Sequence, residues 1–142
     1  MREIKLKQLC VFDDSLIAQI ANLYKQENFL NEHEFNFQSI HRTLKNSYCV
    51  FGAFLDNKLV GIFRALSDGV SDAYLLDLIV DSNYRKQGVA TALCQEIVSY
   101  LRGRNIEWIV CIATPEGQHV HKKIGATMNG YIPFRFTTIE AL

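Results

Sequence analysis

The chain has 142 residues, of which 49% are hydrophobic and 21% charged, and its formal net charge is +0. This length suits one domain with a buried core, and the composition is too apolar for a disordered chain. The balanced charge gives no overall attraction to nucleic acid or to a membrane, and no apolar run approaches the roughly 18 residues of a membrane-spanning helix. We therefore expect neither kind of partner.

The N-terminal third of the sequence predicts one strand and two helices. Residues 3–9 alternate apolar and charged side chains, as a half-exposed strand does. Asp13, Asp14 and Ser15 offer N-cap chemistry for a helix whose apolar side chains then follow helical spacing as far as Tyr24. A second, shorter helix is predicted over residues 38–45.

The middle of the chain predicts a hairpin. Residues 48–55 and 58–66 are strand-like runs joined by Asp56 and Asn57, and these two residue types tolerate the positive φ of a tight turn. A loop over residues 67–72 then leads to the next strand.

The second half of the chain alternates strands with helices. We predict a central strand over residues 73–80, a helix over 88–102, a strand over 106–113, a short helix ending near Gly125 and a last strand over 131–139. The order of elements indicates an α/β (α+β) fold, in which helices pack on a mixed, mostly antiparallel sheet. No linker or repeat divides the sequence, so residues 1–142 are expected to form a single domain.

The cysteines and histidines favour no metal site. Four cysteines are far apart in sequence and form no pair at ligand spacing: Cys10, Cys49, Cys94 and Cys111. We interpret them as reduced, mostly buried thiols of a cytoplasmic protein. His119 and His121 lie close together, but no cysteine or carboxylate joins them at ligand spacing.

The most informative segment is the turn that follows the central strand. Arg85, Lys86 and Gln87 precede Gly88, and an amphipathic helix begins there. The first N–H groups of a helix and its macrodipole favour a bound anion, and two cationic side chains stand beside them. The pattern therefore indicates a phosphate site, and the alternative is a solvated turn.

The same turn resembles the signature of the GNAT superfamily of N-acetyltransferases, Q/R-x-x-G-x-G/A, because Arg85, Gly88 and Ala90 match it in register. The run V-H-K-K-I-G-A at residues 120–126 is similar to a second element of that family. The segment R-A-L-S-D-G-V-S-D-A-Y-L-L-D-L-I-V-D is also similar to small members related to plant serotonin acetyltransferases. The resemblance implies the GNAT fold, with about six to seven strands flanked by about four helices.

The resemblance also implies acetyl-CoA as cosubstrate. The pantetheine arm would pair with the strand at Leu78, Ile79 and Val80, and a backbone N–H of Ile79 or Val80 would polarise the thioester carbonyl. The pyrophosphate would lie on the turn and the helix start, whose residues are Arg85, Lys86, Gln87, Gly88, Val89, Ala90 and Thr91.

Two side chains are candidates for proton transfer. Asp77 is an unexpected charge in an apolar strand, and strand alternation would place it on the same face as Leu75 and Ile79. It is either the base that deprotonates the amine or a structural acceptor, for example a partner of Arg64. His121 occupies the position where the family often has a tyrosine acid, so it is either that acid or a surface histidine.

Acidic residues suggest a cationic acceptor, although the alternative for each is an ordinary solvated loop. Asp68 and Asp72 precede the central strand and could attract an amine. A second stretch lies between the first two helices, where the family usually lines its acceptor site: Glu27, Phe29, Glu32, His33, Glu34, Phe35 and Phe37.

These observations predict an acetyl-CoA-dependent N-acetyltransferase that acts by direct attack in a ternary complex, with a small cationic amine as acceptor. Acetylation of a protein amine is one alternative, and a catalytically idle acyl-CoA-binding sensor is another. A homodimer is possible, with an interface formed by Tyr131, Phe134 and Phe136, although burial of these aromatic residues in the core is favoured.

Overall fold

The computed structural model describes residues 2–27 and 36–136. One sheet contains five strands in chain order: β1 (Lys5–Gln8), β2 (Cys49–Leu55), β3 (Lys58–Ser67), β4 (Asp72–Val80) and β5 (Trp108–Cys111). Four α-helices pack on it: α1 (Asp14–Gln26), α2 (Phe37–Lys45), α3 (Val89–Gly103) and α4 (Gln118–Lys123). The first four strands pair antiparallel, and β5 pairs parallel to β4 after the α3 crossover.

Local chemistry explains where the elements begin and turn. The Asp13 side chain, one of the three N-cap candidates in the sequence, accepts a 2.8 Å hydrogen bond from the Leu16 N–H and caps α1. The hairpin between β2 and β3 turns at Asp56 and Asn57, whose φ values are +49° and +64°. Both residues therefore adopt the left-handed conformation that a tight hairpin turn requires.

Two apolar layers cover the two faces of the sheet. On one face, α3 packs its buried residues Val89, Leu93, Cys94, Ile97 and Leu101 against the sheet. On the other face, α1 and α2 contribute Ile17, Ile20, Leu23, Tyr24, Ile40 and Leu44. We call these the α3 face and the α1/α2 face.

A bulge in β4 changes which residues face each layer. Leu76 pairs with Arg64 and Ile79 pairs with Ile62, so β4 has one residue more than β3 between these pairs. Asp77 lies there with φ +59°. The expectation that Leu75 and Ile79 share a face is wrong, because the extra residue shifts the alternation: Leu75 lies on the α3 face and Ile79 on the α1/α2 face.

The predicted last strand is also wrong over the part that the structure describes. Residues 131–136 form no regular secondary structure, and 137–139 lie outside the described residues. Pro133 lacks the N–H that a strand needs in this run. The expected core burial is wrong as well, because Tyr131, Phe134 and Phe136 are 63%, 76% and 84% exposed.

The predicted fold class is confirmed, with a mixed, mostly antiparallel sheet and four α-helices. The described residues form five strands, whereas six to seven were expected. That residues 1–142 make up one domain stays a prediction. No described helix has the length and apolar character needed to cross a membrane.

Candidate functional site

The sheet opens between β4 and β5. Parallel pairing begins at Asp72 with Trp108 and ends at Leu75 with Cys111, where β5 stops. Residues 76–80 of β4 continue along β3, but within the described chain no strand pairs with their other edge. Leu78, Ile79 and Val80 therefore lie at a free backbone edge, to which an extended ligand can add like a strand.

The turn after β4 leads from this edge to the start of α3. Lys86 has φ +60°, and Gly88, the N-cap residue of α3, has φ +85°. No side chain caps the helix, and no acidic residue lies in its first turn. The N–H groups of Val89, Ala90 and Thr91 therefore lack intrahelical acceptors and suit an anion.

Gly88 leaves room for such an anion. A Cβ added to it would meet no atom of the described residues within 4 Å. The positive φ explains why glycine suits the position, and the space beside it is open. An anion could therefore approach the backbone of the turn closely at Gly88.

The side chains of the turn are exposed, and one of them is already engaged. Arg85 donates from Nε to the Val80 carbonyl oxygen at 3.1 Å and from Nη2 to Glu27 Oε1 at 2.6 Å. This pair ties the turn to the end of α1. Lys86 makes no hydrogen bond or ion pair with the rest of the described chain.

Asp77 lies at the bulge, on the α1/α2 face. Its Oδ2 accepts from Arg64 Nε at 2.6 Å and from the Tyr24 hydroxyl at 2.7 Å. Arg64 also donates to Ser47 Oγ at 3.3 Å. Burial, followed by the charge of Asp77, raises the pKa of Tyr24 well above its usual range, so Tyr24 stays protonated and donates. The carboxylate is thus the partner of Arg64 that the sequence left as one alternative, and catalysis by it is compatible with this arrangement.

Tyr24 is the site residue that the sequence reasoning missed. It lies on the apolar stripe of α1, where helical spacing indicates only a core residue. Its contact with Asp77 joins residues 53 positions apart in sequence, and no local pattern predicts such a pair.

His121 lies in α4 and is half-buried. Its Nδ1 is 3.9 Å from Cys94 Sγ, and its ring centroid is 6.3 Å from that of Phe63. Desolvation, followed by the nearby His119, lowers the pKa of His121, so its imidazole is neutral at neutral pH. Burial raises the pKa of the Cys94 thiol to about 12. The thiol therefore keeps its proton and can donate to Nδ1, which leaves the N–H on Nε2.

The acidic candidates lie in different places. Asp68 accepts hydrogen bonds from the backbone N–H groups of Val70, Ser71 and Asp72, which lower its pKa and keep it ionised. Asp72 begins β4, and its carboxylate makes no contact within the described chain. Glu27 pairs with Arg85, and Phe37 is 44% exposed at the start of α2. Phe29, Glu32, His33, Glu34 and Phe35 lie outside the described residues.

The described residues contain no group of three or more His, Cys, Asp and Glu side chains that could hold a metal ion. Cys49 and Cys94 are buried, Cys111 is partly buried and Cys10 is exposed. Desolvation raises the pKa of the Cys49 thiol to about 12 as well, so it suits packing better than nucleophilic attack.

Comparison with known proteins gives a family match. A profile described as "Acetyltransferase (GNAT) family" matches residues 16–126. A curated relative, the probable N-acetyltransferase camello of Xenopus laevis, is 33% identical over 89 residues, which are 57% of this chain and 40% of that protein. The chain thus spans less than half the length of that relative.

Solved structures share the fold over nearly the whole chain. One, from Clostridium acetobutylicum, is described as a predicted acetyltransferase with acetyl-CoA; its TM-score is 0.72 at 17% identity, and the match covers 94% of this chain and 97% of that one. Another is an aminoglycoside acetyltransferase from an uncultured soil metagenomic sample, in complex with sisomicin. Its TM-score is 0.72 at 21% identity, and the match covers 96% of this chain and 97% of that one.

Proposed function

The chain belongs to the acetyltransferase (GNAT) family, and from this premise we propose that it is an acetyl-CoA-dependent N-acetyltransferase acting on a primary amine. The observation that carries the proposal is the free edge of β4 leading directly into the uncapped start of α3. The family that the motifs predicted is confirmed, whereas the narrower likeness to plant serotonin acetyltransferases stays a prediction.

The binding roles follow from the chemistry of acetyl-CoA. Leu78, Ile79 and Val80 offer backbone groups to the peptide-like pantetheine arm along the free edge. The N–H groups of Val89, Ala90 and Thr91, with those of the turn, suit the pyrophosphate. Lys86 and Gln87 are exposed beside them. Arg85 reaches the phosphates by leaving Glu27.

In the proposed transfer, Asp77 removes a proton from the acceptor ammonium, whose pKa is roughly 10 when free in water. The amine nitrogen then attacks the thioester carbonyl carbon, and a backbone N–H of Ile79 or Val80 stabilises the oxyanion. One such hydrogen-bond donor typically lowers the activation free energy by about 3–4 kcal/mol. The nitrogen then loses a second proton to the leaving thiolate as the carbon–sulfur bond breaks, so that the amide and the free CoA thiol form.

His121 would assist this last step. In the tautomer that accepts from the Cys94 thiol at Nδ1, the neutral ring carries its N–H on Nε2 and can donate a hydrogen bond to the thiolate, which stabilises the negative charge without transferring the proton. Burial lowers the pKa of His121, so the ring is neutral. Its N–H can therefore donate a hydrogen bond while the ring carries no positive charge. His121 thereby replaces the tyrosine that many family members use.

We propose a small cationic amine as the acceptor. The described acidic side chains on and near β4 support a positively charged substrate, and an aminoglycoside acetyltransferase with the same fold is solved with an amine ligand. Acetylation of a protein amine is the alternative within the same chemistry. A homodimer through the exposed aromatic residues of 131–136 also stays a proposal.

Initial-rate kinetics test the function. With a panel of primary amines, CoA release should require both substrates, and double-reciprocal plots should intersect, as direct transfer in a ternary complex demands. Parallel lines would instead indicate an acyl-enzyme. If none of the amines in the panel leads to consumption of acetyl-CoA, the transferase proposal fails.

The second candidate is an acyl-CoA-binding sensor without turnover. The observation that favours it is that Asp77 Oδ2 already accepts from two donors, while His121 Nδ1 faces Cys94. Tight acetyl-CoA binding with no acetylation of any small amine or peptide would support this candidate.

A further inference from the structure

A surface groove on the α1/α2 face lies over the part of β4 that pairs with β5, before the edge of β4 becomes free. We call it the β4–β5 groove; it has a volume of about 410 Å³, and its lining residues are Leu66, Ser67, Asp68, Asp72, Ala73, Tyr74, Trp108 and Val110. The groove is shallow and open to solvent, so a ligand would lie along it and would not be enclosed by it. The helices α1 and α2 bury other parts of the same face, around Val50, Leu59, Ile62 and Ile79.

The groove and the proposed reaction centre lie on the same face of the sheet, at different positions along β4. Asp72 pairs with Trp108 and Tyr74 pairs with Val110, so each pair projects its side chains from the same face. That face also holds Asp77, because the bulge turns it toward Tyr24 and Arg64. A ligand in the groove therefore runs along β4 from Asp72 toward the point where the sheet opens.

The lining of the groove is apolar in the middle and anionic at one end. Leu66, Trp108 and Val110 are 40%, 48% and 40% exposed and together form an apolar patch in the groove. Tyr131 packs edge-on against Trp108, with ring centroids 5.2 Å apart, and holds the indole in place.

Charge gives the groove its selectivity. Asp68 and Asp72 are among its lining residues, and no lysine or arginine is. Asp68 stays ionised through its backbone hydrogen bonds, and the Asp72 carboxylate has no partner within the described chain. The other end of the path holds Asp77, five residues farther along β4.

We infer that the acceptor is an elongated primary diamine with an apolar middle. One ammonium group lies at Asp72, the hydrocarbon part lies along Tyr74, Val110 and Trp108, and the second amine reaches Asp77, where it is acetylated. Five strand residues span at most about 16 Å, and this length is the upper limit of the distance between the two nitrogen atoms of the diamine. This inference rests on the proposed function for the chemistry at Asp77, but the groove can be tested without turnover.

Trp108 supplies the test, because it is the only tryptophan of the chain and lines the groove. Diaminodecane, titrated into the protein, should change the tryptophan fluorescence saturably, and decylamine should bind about fivefold more weakly, since one exposed charge pair is worth up to about 1 kcal/mol. Asp72→Asn should remove this difference. The matched control Asp56→Asn, in the exposed hairpin turn, should retain it.

A second variant tests independently whether diaminodecane binds in the groove. Val110→Lys places a cation in the groove at a partly exposed position, so the fold should persist while diaminodecane binding is lost. Equal affinity of the wild type for diaminodecane and decylamine, or no fluorescence change with either, would overturn the inference.

Turnover separates the two proposals. Acetylation of diaminodecane at a higher kcat/KM than decylamine, with the difference lost in Asp72→Asn, supports both. Acetylation of short amines without any preference for the diamine overturns the diamine inference and leaves the transferase intact. Saturable diamine binding without acetylation of any amine retains the groove as a diamine site and overturns the transferase.

Discussion

Arg64 Nε donates to Asp77 Oδ2 across 2.6 Å, from one strand to its neighbour, at the point where β4 carries an extra residue. The side chains are only 11% and 22% exposed, so the pair is poorly screened by water. Asp77 adopts φ +59°, a conformation that aspartate and asparagine tolerate better than most residues. The bulge thus holds a carboxylate beside the free edge of β4, in a position that regular strand alternation would not give.

Asp77→Asn tests whether this carboxylate is the base. The amide still accepts from Tyr24 and tolerates the positive φ, so the fold should survive. We expect kcat to fall by about 100-fold or more, as for loss of a general base, with acetyl-CoA affinity unchanged. Steady-state kinetics and calorimetry measure the two quantities. Asp56→Asn, also at positive φ, is the control; an unchanged kcat in Asp77→Asn would leave Asp77 as a purely structural partner of Arg64.

Gly88→Ala tests the turn, with Gly103→Ala as its matched control in the last residue of α3. Neither new Cβ meets an atom of the protein within 4 Å, but only Gly88 has a positive φ. Gly88→Ala should lower the free energy of unfolding by about 1–2 kcal/mol and weaken acetyl-CoA binding. Gly103→Ala should be neutral or stabilising by up to about 1 kcal/mol. Denaturant unfolding measures the first effect, and equal stabilities of the two variants would contradict the account.

Arg85 and Glu27 should give effects of opposite sign on acetyl-CoA binding. Arg85→Gln removes a cation from the proposed phosphate site and should weaken binding. Glu27→Gln frees the guanidinium from its 2.6 Å ion pair, so it should strengthen binding by up to about fivefold, the worth of a surface pair. Calorimetry at low salt measures both, with Arg102→Gln as the control on α3. If both variants weaken binding, the pair only ties the turn to α1.

His121 should make the stability of the protein depend on pH. Its pKa in the folded state lies below the ordinary value of 6.5, so the unfolded chain binds more protons between the two values. The contribution is present above about pH 6.5 and is lost as the pH falls through the folded-state pKa. Unfolding midpoints measured at several pH values should therefore decrease more steeply for the wild type than for His121→Phe. His41→Gln, exposed on α2, should behave like the wild type, and parallel curves for all three would contradict the burial of His121.

Sequence reasoning predicted the fold well where local signals decide it. The Asp13 cap, the Asp56–Asn57 turn and the glycine before α3 each act within a few residues, and the structure has all three. The bulge at Asp77 could not be predicted, because it depends on how β4 pairs with β3. The Tyr24 contact and the β4–β5 groove also depend on tertiary packing. The strand expected over 131–139 reflects apolar composition alone, which does not distinguish a strand from an exposed segment.

The central claim is that acetyl-CoA binds along the free edge of β4 and on the start of α3. Calorimetric titration of acetyl-CoA into the wild type and Gly88→Asp, with free CoA for comparison, tests it most directly. We expect micromolar or tighter binding to the wild type and at least tenfold weaker binding to Gly88→Asp, whose carboxylate would occupy the proposed anion site. A folded wild type that binds no acetyl-CoA, or equal affinity in the two proteins, would contradict it.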